Sequence, residues 1–491
     1  MAATIVWFRN DLRIRDNRAL IAALQRGGPV IPLFVWAPEE DGIWQLGSAS
    51  RWWLRQSLIA LDQDLIARGS KLIVRSGQTS AVLKSLARET EADAVYFSRQ
   101  YESQAVERDR DVTIELQRAG IAAESFIASL LIEPWEIKNS SGKPFRVFTH
   151  YWNRCVRQLD TAMIDPIEEP ATISRTPRPV DSISLESLDL HLDSQRSAGF
   201  EANWHPGAAS AEAKLETFLH DRLHAYAEAR DSLSLGANSC MSPHLHFGEI
   251  SPRQIWNAVT SLSRKSRKSN FSEACTSYLR QLGWREFAYH LIYHFPETTF
   301  RPLQMKFASF PWCNDERLLK CWKEGRTGYP IVDAGMRQLL QTGWINNRMR
   351  MIVASFLVKD LLLPWQEGAR WFWETLVDAD LANNTLGWQW VAGCGADAAP
   401  FFRIFNPVSQ GEKFDPDGEY TRRWLPELHR LPRKFIHRPW VAPQSELDAA
   451  GITIGTTYPH PIVDHDMARQ RALDRFRALR KETTSLQIEG T

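Results

Sequence analysis

The chain has 491 residues, too many for one ordinary hydrophobic core, so its length predicts two or three domains. Its hydrophobic fraction of 44% and charged fraction of 24% are typical of a soluble globular protein. The net charge of +1 excludes a global electrostatic field that would draw the whole molecule onto nucleic acid or a membrane, so a role on DNA would need a local basic patch.

The six Cys are scattered and form no CxxC pair, which argues against a zinc site, an iron–sulfur cluster and a disulfide framework. This usage fits a reducing cytosol. Charged residues appear near the start of the chain before any long apolar run develops. This pattern is typical neither of a signal peptide nor of a membrane-spanning segment. We therefore expect a cytoplasmic protein that holds no metal and enters no membrane.

Short apolar runs alternate with amphipathic runs through the first third of the chain. They predict buried parallel strands over Thr4–Phe8, Val30–Trp36, Lys71–Val74, Ala94–Phe97 and Glu124–Ile127. Helices are predicted between them, over Asn17–Gln25, Arg51–Ala67, Thr79–Glu91 and Ser103–Ala119. The result is a doubly wound parallel α/β domain over residues 1–135, a fold that binds ligands at the carboxyl ends of its strands. No GxGxxG motif follows the first strand, which argues against an ordinary dinucleotide site there.

A linker and a helical domain are predicted for the rest of the chain. Residues 136–208 are assigned to the linker, because the stretch from about Ile164 to Asn203 is rich in Pro, Ser and Asp and shows no sustained period. From residue 209 to 480 the pattern is helical, and Pro364 separates two apolar runs of helical spacing. The second domain is therefore predicted to be all α.

Two motifs of the helical region combine charge with polar or aromatic groups. The polar loop Asn238–Ser242 leads into a helix that Ser242 could cap, and backbone N–H groups at a helix N-terminus suit a phosphate. The sequence Trp284-Arg-Glu-Phe287 by itself favours an Arg–Glu surface pair beside a core Trp.

Two further segments suggest contacts with phosphate. Asn347, Arg348 and Met351 fall near one another on a predicted helix, a mixture that suits a ligand with both phosphate and a flat apolar surface. The segment 422–440 is rich in Arg and interleaved aromatics, and it is equally compatible with a phosphate-facing patch and with a solvated basic loop.

The stretch from Asp378 to Trp390 joins carboxylates in a buried-looking context, an Asn pair and two indoles. Nine of the 20 Trp of the chain lie between Trp284 and Trp390. Large indoles often serve only as core, but this combination also suits an aromatic redox cofactor beside an aromatic path for electrons.

Together these motifs resemble the photolyase/cryptochrome family along nearly the whole chain. The opening Val6-Trp-Phe-Arg-Asn-Asp-Leu-Arg13 is similar to the start of the family's antenna domain, and Gly328–Arg337, Ala354–Asp360 and Phe402–Pro407 are similarly close. The resemblance implies an α/β antenna domain joined to a helical domain that binds FAD.

The resemblance also implies roles for individual residues. The positions that match the FAD site are Tyr226, Asn238, Ser239, Cys240, Met241, Ser242, Arg285, Arg350, Asp378, Asp380 and Asn384. Asn384 matches the residue that faces flavin N5, which is Asn in photolyases and Asp in plant cryptochromes. Trp388, Trp365 and Trp312 match the family's electron relay.

The implied substrate is UV-damaged DNA that contains cyclobutane pyrimidine dimers, flipped out of the duplex. The positions that match the dimer pocket and its phosphate clamps are Gln281, Trp284, Asn347, Arg348, Met351, Trp390 and Arg403. The (6-4) photolyases carry catalytic histidines where this chain has Asn347 and Met351, which disfavours that activity. Several motifs are most similar to the class III cyclobutane-dimer photolyases, whose usual antenna is 5,10-methenyltetrahydrofolate. We expect a monomer.

Three positions depart from the family pattern. Gln281 stands where these photolyases usually carry Glu, Asn346 stands in a His position, and Cys240 stands in an Arg position. Gln can hydrogen-bond pyrimidine carbonyls but cannot supply a carboxyl proton. A dimer-splitting enzyme is favoured by Asn384 and by the pocket Trp residues, whereas Gln281 and Asn346 favour the alternative, a cryptochrome-like blue-light receptor with weak or no repair.

Overall fold

The computed structural model describes residues 2–160, 165–176, 178–265 and 269–488. The chain divides into two compact units. The first unit comprises Met1–Ala227, Ser239–Pro296 and Val377–Ala382, and the second comprises Glu228–Asn238, Glu297–Leu376 and Asn383–Thr491. Among the described residues, no helix combines the length and the apolar character needed to cross a bilayer.

A five-stranded parallel sheet forms the centre of the first unit, in the order β3-β2-β1-β4-β5. Its strands are β1 (Ala3–Phe8), β2 (Val30–Trp36), β3 (Ile73–Ser76), β4 (Ala92–Ser98) and β5 (Ala122–Phe126). The inner strands are buried on both faces, because helices cover both sides of the sheet; Ile5 and Val6, consecutive residues of β1 that point to opposite faces, are both fully buried. The predicted doubly wound α/β fold is confirmed.

The third strand begins two residues later than predicted. Leu72 does not join the ladder, since its N–H donates to the carboxylate of Asp62 at 2.8 Å. The first helix follows the prediction closely: Asn17 is its N-cap, and the Asn17 side chain accepts a hydrogen bond from the N–H of Leu20 at 3.1 Å.

Helices account for most of the remaining first unit. The helices before residue 297 are α1 (Arg18–Gln25), α2 (Ser48–Ala67), α3 (Thr79–Thr90), α4 (Ser103–Arg118), α5 (Phe148–Leu159), α6 (Ser194–Glu201), α7 (Ala208–Asp221), α8 (Tyr226–Ala229), α9 (Ser242–His246), α10 (Pro252–Lys265) and α11 (Ser269–His294). The segment 136–208, predicted as a linker, thus contains α5 and α6. Ile164, where the Pro-rich stretch was predicted to begin, lies outside the described residues.

The second unit is helical, as predicted. Its helices are α12 (Glu316–Lys323), α13 (Pro330–Thr342), α14 (Asn347–Ser355), α15 (Trp365–Thr375), α16 (Leu381–Ala392), α17 (Pro407–Phe414), α18 (Glu419–Trp424), α19 (Gln444–Ala450) and α20 (His465–Ile488), and α16 takes its first two residues from the first unit. A π-helical turn over Phe356–Asp360 continues α14, and Pro364 is the N-cap of α15.

Candidate functional site

The loop Asn238–Ser242 precedes the short helix α9. The predicted cap is wrong: Ser242 is the first helical residue, and Met241 takes the N-cap position without a side-chain hydrogen bond. Cys240 has a φ of 53°, a left-handed conformation that costs a non-glycine residue free energy. Burial raises the pKa of the Cys240 thiol, against the opposing positive charges of Lys214 and Arg222.

Tyr226, predicted to lie near the same loop, belongs to a buried aromatic group. Its ring meets Tyr278 edge-on at 5.2 Å between centroids and Phe218 at 5.6 Å. Ser239, in the loop, hydrogen-bonds Tyr278, whose pKa is raised mainly by burial. Tyr278 therefore links Tyr226 to the loop within the first unit.

Asp380 is buried among polar partners of the first unit. Its Oδ2 accepts a hydrogen bond from the Tyr289 hydroxyl at 2.5 Å, and Nδ1 of His246 lies 3.5 Å from the same oxygen. Burial alone would raise the pKa of Asp380, but the hydrogen bond and charge of His246, together with the charge of Arg285, hold it well below its ordinary value. Asp380 is therefore a fixed buried anion.

Arg285 and Glu286 are both buried, so the surface pair favoured by their motif is wrong. The Arg285 guanidinium donates to the carbonyl of Ser129 at 2.5 Å and lies 4.9 Å from the ring centre of Tyr289. Burial raises the pKa of Glu286 to about 7, although its carboxylate accepts the N–H of Leu131 at 2.9 Å. Arg285 thus adds positive charge beside the Tyr289–Asp380 pair.

Trp284 and Gln281 lie one turn apart on α11. The indole of Trp284 stacks on Phe148 of α5, with 3.8 Å between centroids and 6° between planes. Within the residues that the structure describes, the amide of Gln281 donates to the Ser277 carbonyl of its own helix at 3.3 Å and to no other group, so it is held by a weak local bond. The sequence reasoning missed Phe148, which orients the indole from a helix placed in the predicted linker.

In the second unit, Asn346 is the N-cap of α14. Its side-chain oxygen accepts the N–H of Arg348 at 2.6 Å, and its amide donates to the Arg230 carbonyl at 3.1 Å. The departure from His therefore has a structural use, since Asn is among the best capping residues. The expected proximity of Asn347 and Met351 is present, with 3.8 Å between Nδ2 and Sδ.

The two predicted phosphate clamps differ in their surroundings. Arg348 forms an ion pair with Asp231, and its guanidinium lies 4.5 Å from the ring centre of Phe414. Arg403 is exposed in the loop before α17. Arg350 donates from Nε to the Ile345 carbonyl at 3.0 Å, which fixes its side chain against the start of α14.

The aromatic side chains of the predicted relay lie in the second unit. Trp388 on α16 is buried and meets Phe372 edge-on at 5.0 Å and Trp322 at 6.2 Å. Trp365, the first residue of α15, is also buried, whereas Trp312 is half-buried and lies 4.4 Å from Phe310.

Helices α15 and α16 meet at two points. The amide of Asn384 donates to the Ala369 carbonyl at 2.9 Å, which orients its side chain. A Cβ on Gly368 would lie 2.5 Å from Cζ2 of Trp388, so this glycine makes the room that the indole occupies. Trp390, the second indole of the motif, is half-buried on the same helix.

Three of the six Arg and Lys side chains in the basic segment 422–440 lie beside acidic side chains. Arg433 pairs with Asp417 at 2.8 Å, and Lys434 pairs with Glu446 at 3.1 Å. Arg438 approaches Glu412 to 3.9 Å. These pairs are solvent-exposed.

Comparison with known proteins identifies the family. The model of the DNA photolyase family matches residues 4–171, and that of the FAD binding domain of DNA photolyase matches residues 278–478. The chain is 45% identical over 484 residues to the deoxyribodipyrimidine photo-lyase of Agrobacterium fabrum, covering 98% of this chain and 99% of the relative. The chain belongs to the photolyase/cryptochrome family. FAD is therefore its cofactor, as predicted.

Other relatives come from both branches of the family. Cryptochrome-1 of Arabidopsis thaliana is 42% identical over 475 residues, which cover 95% of this chain and 69% of that protein. The crystal structure of a bacterial class III photolyase from Agrobacterium tumefaciens superposes with a TM-score of 0.92 at 45% identity, covering 98% of each chain. A cryptochrome from Synechocystis superposes with a TM-score of 0.88 at 29% identity, covering 96% of this chain and 99% of the other.

Proposed function

We propose that this photolyase-family protein splits cyclobutane pyrimidine dimers in UV-damaged DNA with blue light. The observation that carries the proposal is the 45% identity over essentially the whole length of a deoxyribodipyrimidine photo-lyase. Bound FAD in its reduced form supplies the electron that opens the cyclobutane ring. The chain supplies the environment for that chemistry.

The residues present fit a flavin. Asp380 is a buried anion held by Tyr289 and His246, and it would accept a hydrogen bond from the polar edge of the ring system. Asn384 is oriented by its hydrogen bond to the Ala369 carbonyl. Its amide stays neutral at every pH, whereas the Asp that plant cryptochromes carry at this position can gain or lose a proton. The loop Asn238–Ser242, with Lys214 and Arg222 acting electrostatically on Cys240, would carry the FAD phosphates.

The pocket residues act on the dimer by contact and orientation. Trp284 would stack on one pyrimidine, because Phe148 holds its ring in place. Trp390, Asn347 and Met351, which belong to the second unit, keep the role that the family resemblance gives them, contact with the dimer. The Gln281 amide would donate a hydrogen bond to a pyrimidine carbonyl, in place of its weak bond to Ser277.

Trp312, Trp365 and Trp388 would carry electrons to photoexcited FAD from a reductant in solution. Arg348 and Arg403 would hold DNA phosphates. For Arg348 this contact competes with its ion pair to Asp231. We further propose a cytoplasmic monomer whose antenna is 5,10-methenyltetrahydrofolate.

The test is light-dependent repair. Chemically reduced protein is mixed with an oligonucleotide that carries one cyclobutane thymine dimer, illuminated with blue light, and followed by the return of thymine absorbance, with a dark control. We expect recovery only in the light. Protein that retains FAD and photoreduces it, yet repairs nothing, would instead be a cryptochrome-like receptor, the alternative that Gln281 favours.

A further inference from the structure

A small cavity with several polar side chains in its lining lies in the first unit at the carboxyl ends of β1 and β4. Its volume is about 20 Å³, and a single water needs roughly 10–15 Å³. Strands β2 and β5 flank β1 and β4 on opposite sides, so this is the point at which the strand order reverses. The residues that line it are Asn10, Ser98, Arg99, Gln100, Tyr101, Glu102, Ala128, Ser129, His246 and Tyr289.

Two lining residues connect the cavity to Asp380. The Tyr289 hydroxyl donates to Oδ2 of Asp380 at 2.5 Å, and Nδ1 of His246 lies 3.5 Å from the same oxygen. His246 is 7% exposed, and within the described part of the chain Nε2 has no hydrogen-bond partner, while Nδ1 has no partner beyond its 3.5 Å approach to Asp380. A buried nitrogen without a partner costs free energy unless water satisfies it, and the cavity has room for that water.

Glu102 provides a proton donor on the same cavity. It is half-buried at the N-terminus of α4, and its Oε2 accepts the N–H of Tyr101 at 3.1 Å. Burial raises the pKa of Glu102, and the negative charge of Asp380 raises it further. Because Glu102 is only partly buried, it can also recover a proton from solvent.

We propose that Glu102, cavity water and His246 form a proton path to the flavin site. This inference rests on the proposed function. Reduction of FAD to FADH⁻ takes up two electrons and one proton, and the electrons come from the reductant by way of the Trp residues. The Glu102 carboxyl gives its proton to cavity water, and the water gives a proton to Nε2 of His246. His246 releases its Nδ1 proton toward Oδ2 of Asp380, the carboxylate that the family resemblance places beside the flavin. Glu102 is then reprotonated from solvent.

The surrounding charges suit this direction of transfer. Asp380, held as an anion, stabilises the transiently protonated imidazole of His246. The charged and titratable groups that face the path are Arg99, Tyr101, Arg285, Tyr289 and Asp380. Burial raises the pKa values of Tyr101 and Tyr289 well above their ordinary value, so neither tyrosine loses its proton in the neutral range.

The experiment measures proton uptake during photoreduction of the holoprotein. Wild type, Glu102→Gln and Glu107→Gln are illuminated with a reductant in weakly buffered solution that contains a pH indicator dye. Glu107 is the matched control, since it is an exposed glutamate on the same helix. We expect Glu102→Gln to slow proton uptake by about 10²-fold or more, the scale of a lost general acid, while Glu107→Gln matches wild type.

A second readout separates proton transfer from a structural effect. Formate, a small weak acid, should restore the rate in Glu102→Gln. The infrared difference spectrum of wild type should show bleaching of a protonated carboxyl band that Glu102→Gln lacks. If Glu102→Gln fails to retain FAD, Glu102→Asp takes its place and should keep the carboxyl band.

Equal uptake rates in all three proteins would overturn the path, as would a slow Glu102→Gln that formate does not restore. Failure of the chemically reduced wild type to repair dimers would instead count against the proposed function, because that assay starts from flavin that already carries its proton.

Discussion

Replacing Gly368 by Ala tests whether the fit between α15 and Trp388 is as tight as the structure indicates. The added methyl would lie 2.5 Å from Cζ2 of Trp388, and closer still to Cη2 and Cζ3. Carbon atoms pack at about 3.5–4.0 Å, so the groups must separate by about 1 Å or more. Trp388 cannot yield easily, because Phe372 and Trp322 hold its edges.

The expected cost follows from two opposing effects. Overpacking a core costs about 1–3 kcal/mol, and the rigid indole places this site at the upper end. Ala recovers up to about 1 kcal/mol of helix propensity over Gly. The net loss of about 2 kcal/mol should lower the Tm of a unit of this size by roughly 4–8 °C. The displaced indole should also slow photoreduction of FAD.

Gly387→Ala is the matched control. Gly387 precedes Trp388 on α16, and a Cβ there meets nothing within 4 Å. We expect this variant to be as stable as wild type, or more stable by up to about 1 kcal/mol. Thermal unfolding and the photoreduction rate are measured for both variants. If Gly368→Ala matches Gly387→Ala in both, the tight packing deduced here is refuted.

Three further changes probe other features of the molecule. Asn346→Ala should cost about 1 kcal/mol in denaturant unfolding by removing the cap of α14, whereas Asn347→Ala, at an exposed position, should cost much less; equal losses would contradict the capping role. The pKa of Glu286 is raised in the folded state, so stability should fall as pH rises from about 4.5 to about 7 and then level off. Glu286→Gln should flatten that profile by roughly 3 kcal/mol at most and be the more stable protein at pH 8, with the exposed Glu273→Gln as control; an unchanged slope would refute the assignment. Gln281→Glu should raise the quantum yield of dimer splitting, measured per absorbed photon on reduced protein, and an unchanged yield would show that the amide serves equally well.

The fold was predictable because its signals are local. Strands buried on both faces are continuous apolar runs, and the capping residue Asn17 marks the start of α1. The third strand was misplaced by two residues because the side chain of Asp62, in the preceding helix, binds the N–H of Leu72. The helix α6 was missed because its sequence lacks a sustained apolar period. The helix α5 was missed although its buried residues follow helical spacing, from Phe148 through Tyr151, Trp152 and Cys155 to Leu159.

The site was predictable only as far as family motifs reach. The buried state of Arg285 and Glu286 depends on backbone groups of Ser129 and Leu131, which no pattern within α11 reveals. Glu102 and Asp380 are far apart in the chain. Only the tertiary fold brings Glu102 to the same cavity as His246 and Tyr289, the two partners of Asp380. A signal existed for Glu102, which lies just beyond a strand at the carboxyl edge of the sheet.

The ion pairs in the basic segment 422–440 affect how the protein would search along DNA for a lesion. Binding of free cationic side chains to phosphate releases condensed salt ions, and that release makes affinity fall steeply with ionic strength. Arg433, Lys434 and Arg438 already carry counterions that belong to the polypeptide, namely the carboxylates of Asp417, Glu446 and Glu412. Each contact that these cations make with a DNA phosphate replaces a carboxylate of the protein by that phosphate. These three cations should therefore add little to the affinity for intact duplex, which favours movement along DNA until the protein meets a lesion.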